Sequence, residues 1–189
     1  FRAIDLDPYS DIGIRLSSAC FLEVMALYCL LSDSPELMPA EEEALAVNVE
    51  RVVNEGRREN LQIINNGDEQ TLESWMLMHL SRMQPLAELL DAHYGGNEYR
   101  TAVALMQGKA GHSESTISAQ VNSDSKRLGS LWQLGFTLAQ QHRESILQQT
   151  LSPNTQAKYE VLAEKSILQQ AELEAAETED FMEFLQQYR

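Results

Sequence analysis

A nearly unbroken apolar run from Leu16 to Leu31 limits what this chain can fold into more than any other feature. Between Ala19 and Leu31 only Glu23 interrupts it. A helix that is apolar on almost all sides is typical of the centre of a helical domain. The run is too short to cross a bilayer. The pattern therefore predicts a central, buried helix over residues 16–31.

Both cysteines, Cys20 and Cys29, lie in this run. Their spacing corresponds to about 13.5 Å along a helix axis. That separation is too large for a disulfide within one helix. We therefore expect two buried free thiols, as in proteins of a reducing compartment such as the cytoplasm.

Composition favours a helical protein and excludes two classes of binding partner. The 189 residues include only 9 Gly and 5 Pro, which favours long helices over a turn-rich β-sandwich. The formal charge of −15 disfavours binding to nucleic acid or to an anionic membrane surface. The sequence lacks the pattern of a signal peptide, which is a basic segment followed by an apolar one. We expect neither a nucleic acid nor a membrane as partner.

Secondary-structure signals predict one strand followed by helices. Residues Phe1 to Leu6 alternate as in a strand. Because no other convincing strand follows, this strand should pair with a segment outside the chain. A turn spans Pro8 to Ile14. After the apolar helix we expect helices from Pro39 to Gly56, from Thr71 to Gly95 (kinked or split at Pro85), over Glu98–Met106, over Asp124–Gln149, over Asn154–Ala176 and from Phe181 to Tyr188.

Most chemistry-bearing residues have an ordinary structural interpretation. The four histidines are scattered without metal-ligand spacing, and His79 suits a hydrogen-bonded core position. Three successive glutamates, Glu41 to Glu43, splay too widely to share an ion and suit a helix N-terminus. No phosphate-binding glycine loop is present. Arg2 and Asp5 remain as candidate site residues. From the residues alone, a salt bridge or a frayed terminus is the simpler interpretation of Arg2.

Five segments, in order, resemble the bacterial glutamate–cysteine ligases. They are Arg2-x-x-Asp5-x-x-Pro8-Tyr-x-x-x-Gly13, Asn48-x-x-Arg51-Val-x-x-Glu-Gly56-Arg57, Gly95-Gly96-x-x-Tyr99, Thr116-Ile-Ser118-Ala119, and Ala175-Ala-x-Thr178-Glu-x-Phe181. The family pattern differs at three places. Here Val49 replaces a tryptophan, Glu59-Asn60 replaces Pro-Gly, and Gln120 replaces an arginine.

The resemblance implies a part of an ATP-dependent ligase that joins L-glutamate to L-cysteine in glutathione biosynthesis. The implied fold is a mainly α C-terminal region. Residues 1–14 would end a strand of a glutamine-synthetase-like sheet, and residues 15–189 would form one helical domain. Arg2 would contact the ATP γ-phosphate or the γ-glutamyl phosphate, and Asp5 would support it. Asp5 could equally cap the segment from Pro8 to Ser10.

The remaining partners would lie outside this chain. The resemblance implies that Mg²⁺ and most substrate contacts belong to an upstream catalytic half, so the fragment alone would be inactive. An alternative is a non-catalytic helical scaffold that binds a partner through its N-terminal strand and last helix.

Overall fold

The computed structural model describes residues 4–176 and 181–187. The described part is mainly helical, as expected. Its α-helices are α1 (Leu16–Leu31), α2 (Pro39–Glu55), α3 (Leu72–Tyr94), α4 (Glu98–Gly111), α5 (Ile117–Leu128), α6 (Leu131–Gln148), α7 (Pro153–Ala176) and α8 (Phe181–Gln187). A two-stranded antiparallel hairpin, β1 (Gln62–Asn65) and β2 (Asp68–Thr71), and a 3₁₀ turn over Ser113–Ser115 complete the set. The chain divides into two compact units, residues 1–144 and 145–189.

The core of the first unit lies where α1, α3 and α4 pack together. Its buried members come from all three helices: Val24, Leu80, Met83, Ala87, Leu90 and Val103. Met25, Met76 and Met106 pack against it, so these methionines help to fill the core. Pro85 does not split α3, which runs unbroken from Leu72 to Tyr94.

Helix α1 has the predicted bounds, but it is not buried all round. Only Cys20 and Val24 are buried, whereas Leu30 and Leu31 are largely exposed. The expectation of two buried thiols was therefore half wrong. Both cysteines are free, but Cys29 lies on the exposed side of the helix.

The hairpin lies between the helices predicted up to Gly56 and from Thr71, where no strand was predicted. Its turn is Asn66-Gly67, and both residues have positive φ, 52° and 84°. Two central residues with positive φ form the turn that suits the twist of a two-residue hairpin, and Asn-Gly is its strongest sequence signal. The expectation that no strand follows the first segment was wrong.

The predicted helix Asp124–Gln149 is two helices. Gly129 adopts φ 93° and ψ −20°, a left-handed conformation that ends α5, and α6 begins at Leu131. A glycine at this position costs little, and it lets the chain change direction. Helix α4, in contrast, is longer than predicted, since it continues past Met106 to Gly111.

Only part of the predicted N-terminal strand can be compared. Residues 1–3 lie outside the described residues, and residues 4–7 are not paired in a strand with any described segment. Pairing of this segment with a strand outside the chain remains a prediction, as does the division of the chain at residues 14 and 15.

The second unit is helical and exposed. Pro153 begins α7, one residue before the predicted start at Asn154, and α7 contains no buried residue. Phe181 and Leu185 of α8 are exposed. Thr178, which belongs to the fifth motif, lies outside the described residues.

Candidate functional site

Of the two predicted site residues, only Asp5 can be located. Arg2 lies outside the described residues. Asp5 is exposed, and it forms neither a hydrogen bond nor an ion pair with the other described residues. It therefore does not cap the segment from Pro8 to Ser10.

Asp7, two residues further on, organises that segment instead. Its side chain is 5% exposed, and its Oδ1 accepts a hydrogen bond from the amide of Tyr9 at 2.9 Å. Its own amide donates to the carbonyl of Gly13 at 2.8 Å, and its carbonyl accepts from Ser10 at 3.1 Å. Asp7 thus closes the turn that extends to Gly13. The proline and glycine of the first motif bracket this turn, but the sequence alone did not distinguish Asp7 from Asp5.

An ion pair balances the buried charge of Asp7. Nε of Arg15 lies 2.6 Å from Asp7 Oδ2. A buried carboxylate is costly unless a cation and hydrogen bonds compensate it. Arg15 is the last residue before α1, so this pair also ties the turn to the start of the apolar helix.

Tyr9 fastens the turn to α5. Its hydroxyl donates to Oδ2 of Asp124 at 2.9 Å, a contact between residues 115 positions apart. Partial burial and then the hydrogen bond to Asp124 raise the pKa of Tyr9 to about 12, so the hydroxyl stays a donor near neutral pH.

The acceptor, Asp124, is in turn held by Arg127 one turn along α5. Nη2 and Nε of Arg127 donate to Asp124 Oδ1 at 2.9 and 3.2 Å. The hydrogen bonds from Arg127 and from Tyr9 lower the pKa of Asp124. Both ends of the Tyr9–Asp124 bond therefore keep the protonation state that the bond requires.

A second anchor comes from α6. Nε2 of His142 donates to the carbonyl oxygen of Pro8 at 2.9 Å. Pro8 and Tyr9 are adjacent in sequence, so the top of the turn is held by one side chain from α5 and one from α6. No spacing in the sequence connects His142 or Asp124 with residue 8 or 9, and sequence reasoning missed both.

The second motif forms a clip between α2 and the hairpin. Nδ2 of Asn48 donates to the carbonyl of Ile64 at 2.7 Å, and Oδ1 accepts from the amide of Ile64 at 2.8 Å. Nη1 of Arg51 donates to the carbonyl of Gln62 at 3.0 Å. Asn60, which stands where the family pattern has glycine, adopts φ 55°, a conformation that asparagine tolerates better than most residues.

The next two motifs mark helix starts. Gly95 and Gly96 have φ of 83° and 88° and end α3, and Tyr99 follows in the first turn of α4. Buried Asp91 accepts hydrogen bonds from the amides of Tyr99 and Arg100 and from Nε of Arg100. Thr116 caps α5 by accepting from the amide of Ala119 at 3.2 Å.

His79 is hydrogen-bonded, as predicted, but it is half-buried and does not belong to the buried core. Its Nδ1 and the hydroxyl of Tyr28 are 2.8 Å apart, and the ring of Trp75 contacts it edge-on. Burial and the nearby charge of Arg82 lower the pKa of His79. Burial likewise raises the pKa of the Cys20 thiol, which keeps it protonated.

The described residues do not form a metal site. Within residues 4–176 and 181–187, no three His, Cys, Asp or Glu side chains are grouped so that they could hold an ion. The N-terminal turn also does not fit a phosphate group, because Asp5 and Asp7 are carboxylates and the amides of Asp7, Tyr9 and Ser10 already have partners. We therefore assign no metal or phosphate contact to this turn.

No helix in the described ranges combines the length and the hydropathy that a membrane span requires.

Comparison with known proteins identifies the relationship. A family model described as glutamate-cysteine ligase matches residues 1–52. The glutamate–cysteine ligase of Alcanivorax borkumensis is 36% identical over 189 residues, covering 99% of this chain and 36% of the relative. That of Azotobacter vinelandii is also 36% identical, over 100% of this chain and 36% of its own length.

A solved structure shares the fold. The crystal structure of a glutamate–cysteine ligase from Francisella tularensis in complex with AMP matches 98% of this chain with a TM-score of 0.76 and 22% identity. The match covers 36% of that protein. The chain thus spans little more than a third of the length of the relatives it matches. The resemblance seen in the sequence is confirmed, and the chain is related along its whole length to a part of the bacterial glutamate–cysteine ligases.

Proposed function

We propose that this chain is a part of an ATP-dependent glutamate–cysteine ligase that forms γ-glutamylcysteine for glutathione biosynthesis in the cytoplasm. One observation carries the proposal: 36% identity to proteins of that name extends over the whole chain. The bound AMP of the Francisella tularensis relative supports ATP as the nucleotide.

The proposed reaction has two steps. The γ-carboxylate of L-glutamate attacks the γ-phosphorus of ATP and releases ADP, which gives γ-glutamyl phosphate. The amine of L-cysteine then displaces phosphate and loses a proton. Both steps develop negative charge on phosphoryl oxygens, so they benefit from fixed cations and accurate positioning.

Arg2 is the residue of this chain that we propose to contact the phosphoryl group. A guanidinium binds phosphate oxygens through two parallel hydrogen bonds and keeps its charge at any physiological pH. We assign Asp5 a supporting role, since its exposed carboxylate is unpartnered among the described residues and lies three positions from Arg2. Mg²⁺ and most contacts to the amino acids would come from the upstream part of the ligase.

The chain by itself should be inactive. A single arginine cannot hold the metal ions and both amino acids, and the described residues form no metal site. Substrates would be bound only when the upstream catalytic half is present, and that half is therefore the principal partner we propose.

The test is to compare the 189-residue chain with the complete protein that contains it. γ-Glutamylcysteine and ADP are measured after incubation with ATP, Mg²⁺, glutamate and cysteine. We expect turnover only from the complete protein. Ligase turnover by the chain alone would overturn the proposal that activity requires the upstream catalytic half. A complete protein without ligase activity would overturn the function and favour the scaffold interpretation.

The coding sequence offers an independent check. The family strand has the form Tyr-Ile-Glu before the residue that corresponds to Phe1. A continuous Tyr-Ile-Glu upstream of Phe1 is the expected result, and a start codon at Phe1 would contradict it.

A further inference from the structure

Helix α2 packs on the protein through its polar side. Among the described elements it packs mainly against β1. On that side Asn48 and Arg51 donate hydrogen bonds to the carbonyls of Ile64 and Gln62. A surface helix normally turns its apolar side to the protein and its polar side to water, so the arrangement of α2 is reversed. Every residue of α2 is at least partly exposed.

A stripe of apolar side chains on α2 is exposed instead. The side chains are 40–77% exposed, and they belong to Leu45, Val49, Val52 and Val53. At about 100° per residue, the four span about 100° of the helix circumference, and their centre lies about 115° from that of Asn48 and Arg51. An apolar stripe of this width is typical of a helix side that packs against other protein.

The stripe is part of a continuous patch. Met38, the N-cap of α2, is 60% exposed and precedes Leu45 by seven residues, which is about two turns, so both lie on the same side. From Met38 to Val53 the patch is about 22 Å long, at about 1.5 Å per residue. We call Met38 and the stripe together the α2 surface. Single exposed apolar side chains are common, whereas contiguous apolar patches mark interaction sites.

The charge of α2 disfavours a second copy of the chain as the occupant of this surface. The helix contains five glutamates and one arginine, and the arginine faces the hairpin. Two copies that met through the α2 surface would bring like charges together, in a chain whose formal charge is −15. An apolar centre with an acidic edge instead fits a partner surface that is apolar in the middle and basic at its rim.

The length of the relatives indicates the occupant. The chain covers 36% of the Alcanivorax borkumensis and Azotobacter vinelandii ligases, so nearly two thirds of each relative lies outside the matched part. The ligase family model matches residues 1–52, a range that includes α2 as far as Val52. We propose that the α2 surface binds the upstream catalytic half of the ligase. The inference rests on the proposed function, in which that half is the principal partner.

Cysteine labelling of the complete ligase tests this directly. Val49→Cys and Val53→Cys place a thiol on the α2 surface. Glu43→Cys and Asn54→Cys are matched controls, because both residues are exposed on the same helix outside the stripe. We expect a maleimide to label the first pair about tenfold or more slowly than the controls, since a buried thiol reacts only through local opening. All four should react at similar rates in urea, and the wild-type protein gives the background from native cysteines.

A cross-linker attached to Val53→Cys identifies the occupant by mass spectrometry. We expect links to peptides that precede Phe1 in the same polypeptide. Equal labelling of surface and control thiols would overturn the proposal, as would links that lead only to residues 1–189 of the same molecule or of a second copy. Protection from labelling does not require catalysis. A complete protein that shows this protection but no ligase turnover would overturn the proposed function alone, so the two failures are distinguishable.

Discussion

Replacing Asn48 with alanine should detach the hairpin from α2. The Asn48 amide makes two hydrogen bonds to the backbone of Ile64, at 2.7 and 2.8 Å. A net contribution of about 0.5–1.5 kcal/mol for each bond gives about 2 kcal/mol for the pair. Alanine regains up to about 0.6 kcal/mol of helix propensity, so we expect a net loss of about 1–2 kcal/mol in the free energy of unfolding.

The same helix supplies a control that isolates the clip. Asn54 is exposed, and its amide donates only to the carbonyl of Glu50 in its own helix, at 3.0 Å. Asn54→Ala has the same propensity gain without losing a contact to the hairpin, so it should be neutral or slightly stabilising. Urea denaturation followed by circular dichroism should separate the two variants by about 2 kcal/mol.

Hydrogen exchange gives a local readout of the same change. The Ile64 amide should lose protection in Asn48→Ala and keep it in Asn54→Ala. If the two variants unfold within about 0.3 kcal/mol of each other, well below the net worth of a single hydrogen bond, the clip contributes nothing and the motif needs another explanation.

Two further predictions concern the first unit. Leu80→Ala should lower the free energy of unfolding by about 2–5 kcal/mol, because the Leu80 side chain is only 6% exposed. Leu89→Ala on the same helix should change it by less than about 0.5 kcal/mol, because Leu89 is 64% exposed. Equal losses in a urea titration would refute the assignment of the core. Burial opposes ionisation of Asp91, but the bonds from Arg100 and the amides of Tyr99 and Arg100 outweigh it and lower the pKa of Asp91. Its contribution to stability is therefore complete above the unfolded pKa of about 3.9 and is lost as pH falls through the lower folded pKa. Asp91→Asn should be less stable than wild type at pH 7, and the difference should shrink in acid; a constant difference from pH 7 to pH 2 would contradict this.

Local signals in the sequence were sufficient where one residue decides the structure. Pro39 begins α2, Thr71 caps α3 through the amide of Ser74, and Gly95 ends it. In each case the cause lies within four residues: a fixed φ, a side-chain acceptor or a permitted positive φ.

Predictions failed where the outcome depended on a competing local choice or on tertiary contacts. The Asn66-Gly67 turn signal was outweighed by the polar composition around it, so the hairpin was missed. Gly129 lies inside the helix predicted over Asp124–Gln149, although it ends α5. The uniform hydrophobicity of α1 could not indicate which of its sides packs against α3 and α4.

The candidate site shows the same limit. The first motif singled out Arg2 and Asp5, whose proposed roles stay predictions, but it did not indicate that Asp7 closes the turn and that Tyr9 anchors it. The anchors Asp124 and His142 are more than a hundred residues away. Contacts of that kind are properties of the folded chain, and no spacing along the sequence reveals them.

The most direct test of the account is the turnover of the complete ligase with Arg2→Ala. We expect kcat for γ-glutamylcysteine formation to fall by about a hundredfold or more, since removing a group that stabilises developing charge typically costs that much. The melting temperature should remain within about 2 °C of wild type, because the contact proposed for Arg2 is to the substrate and not to the fold. An unchanged kcat with the fold intact would show that Arg2 takes no part in phosphoryl transfer and would contradict the central claim.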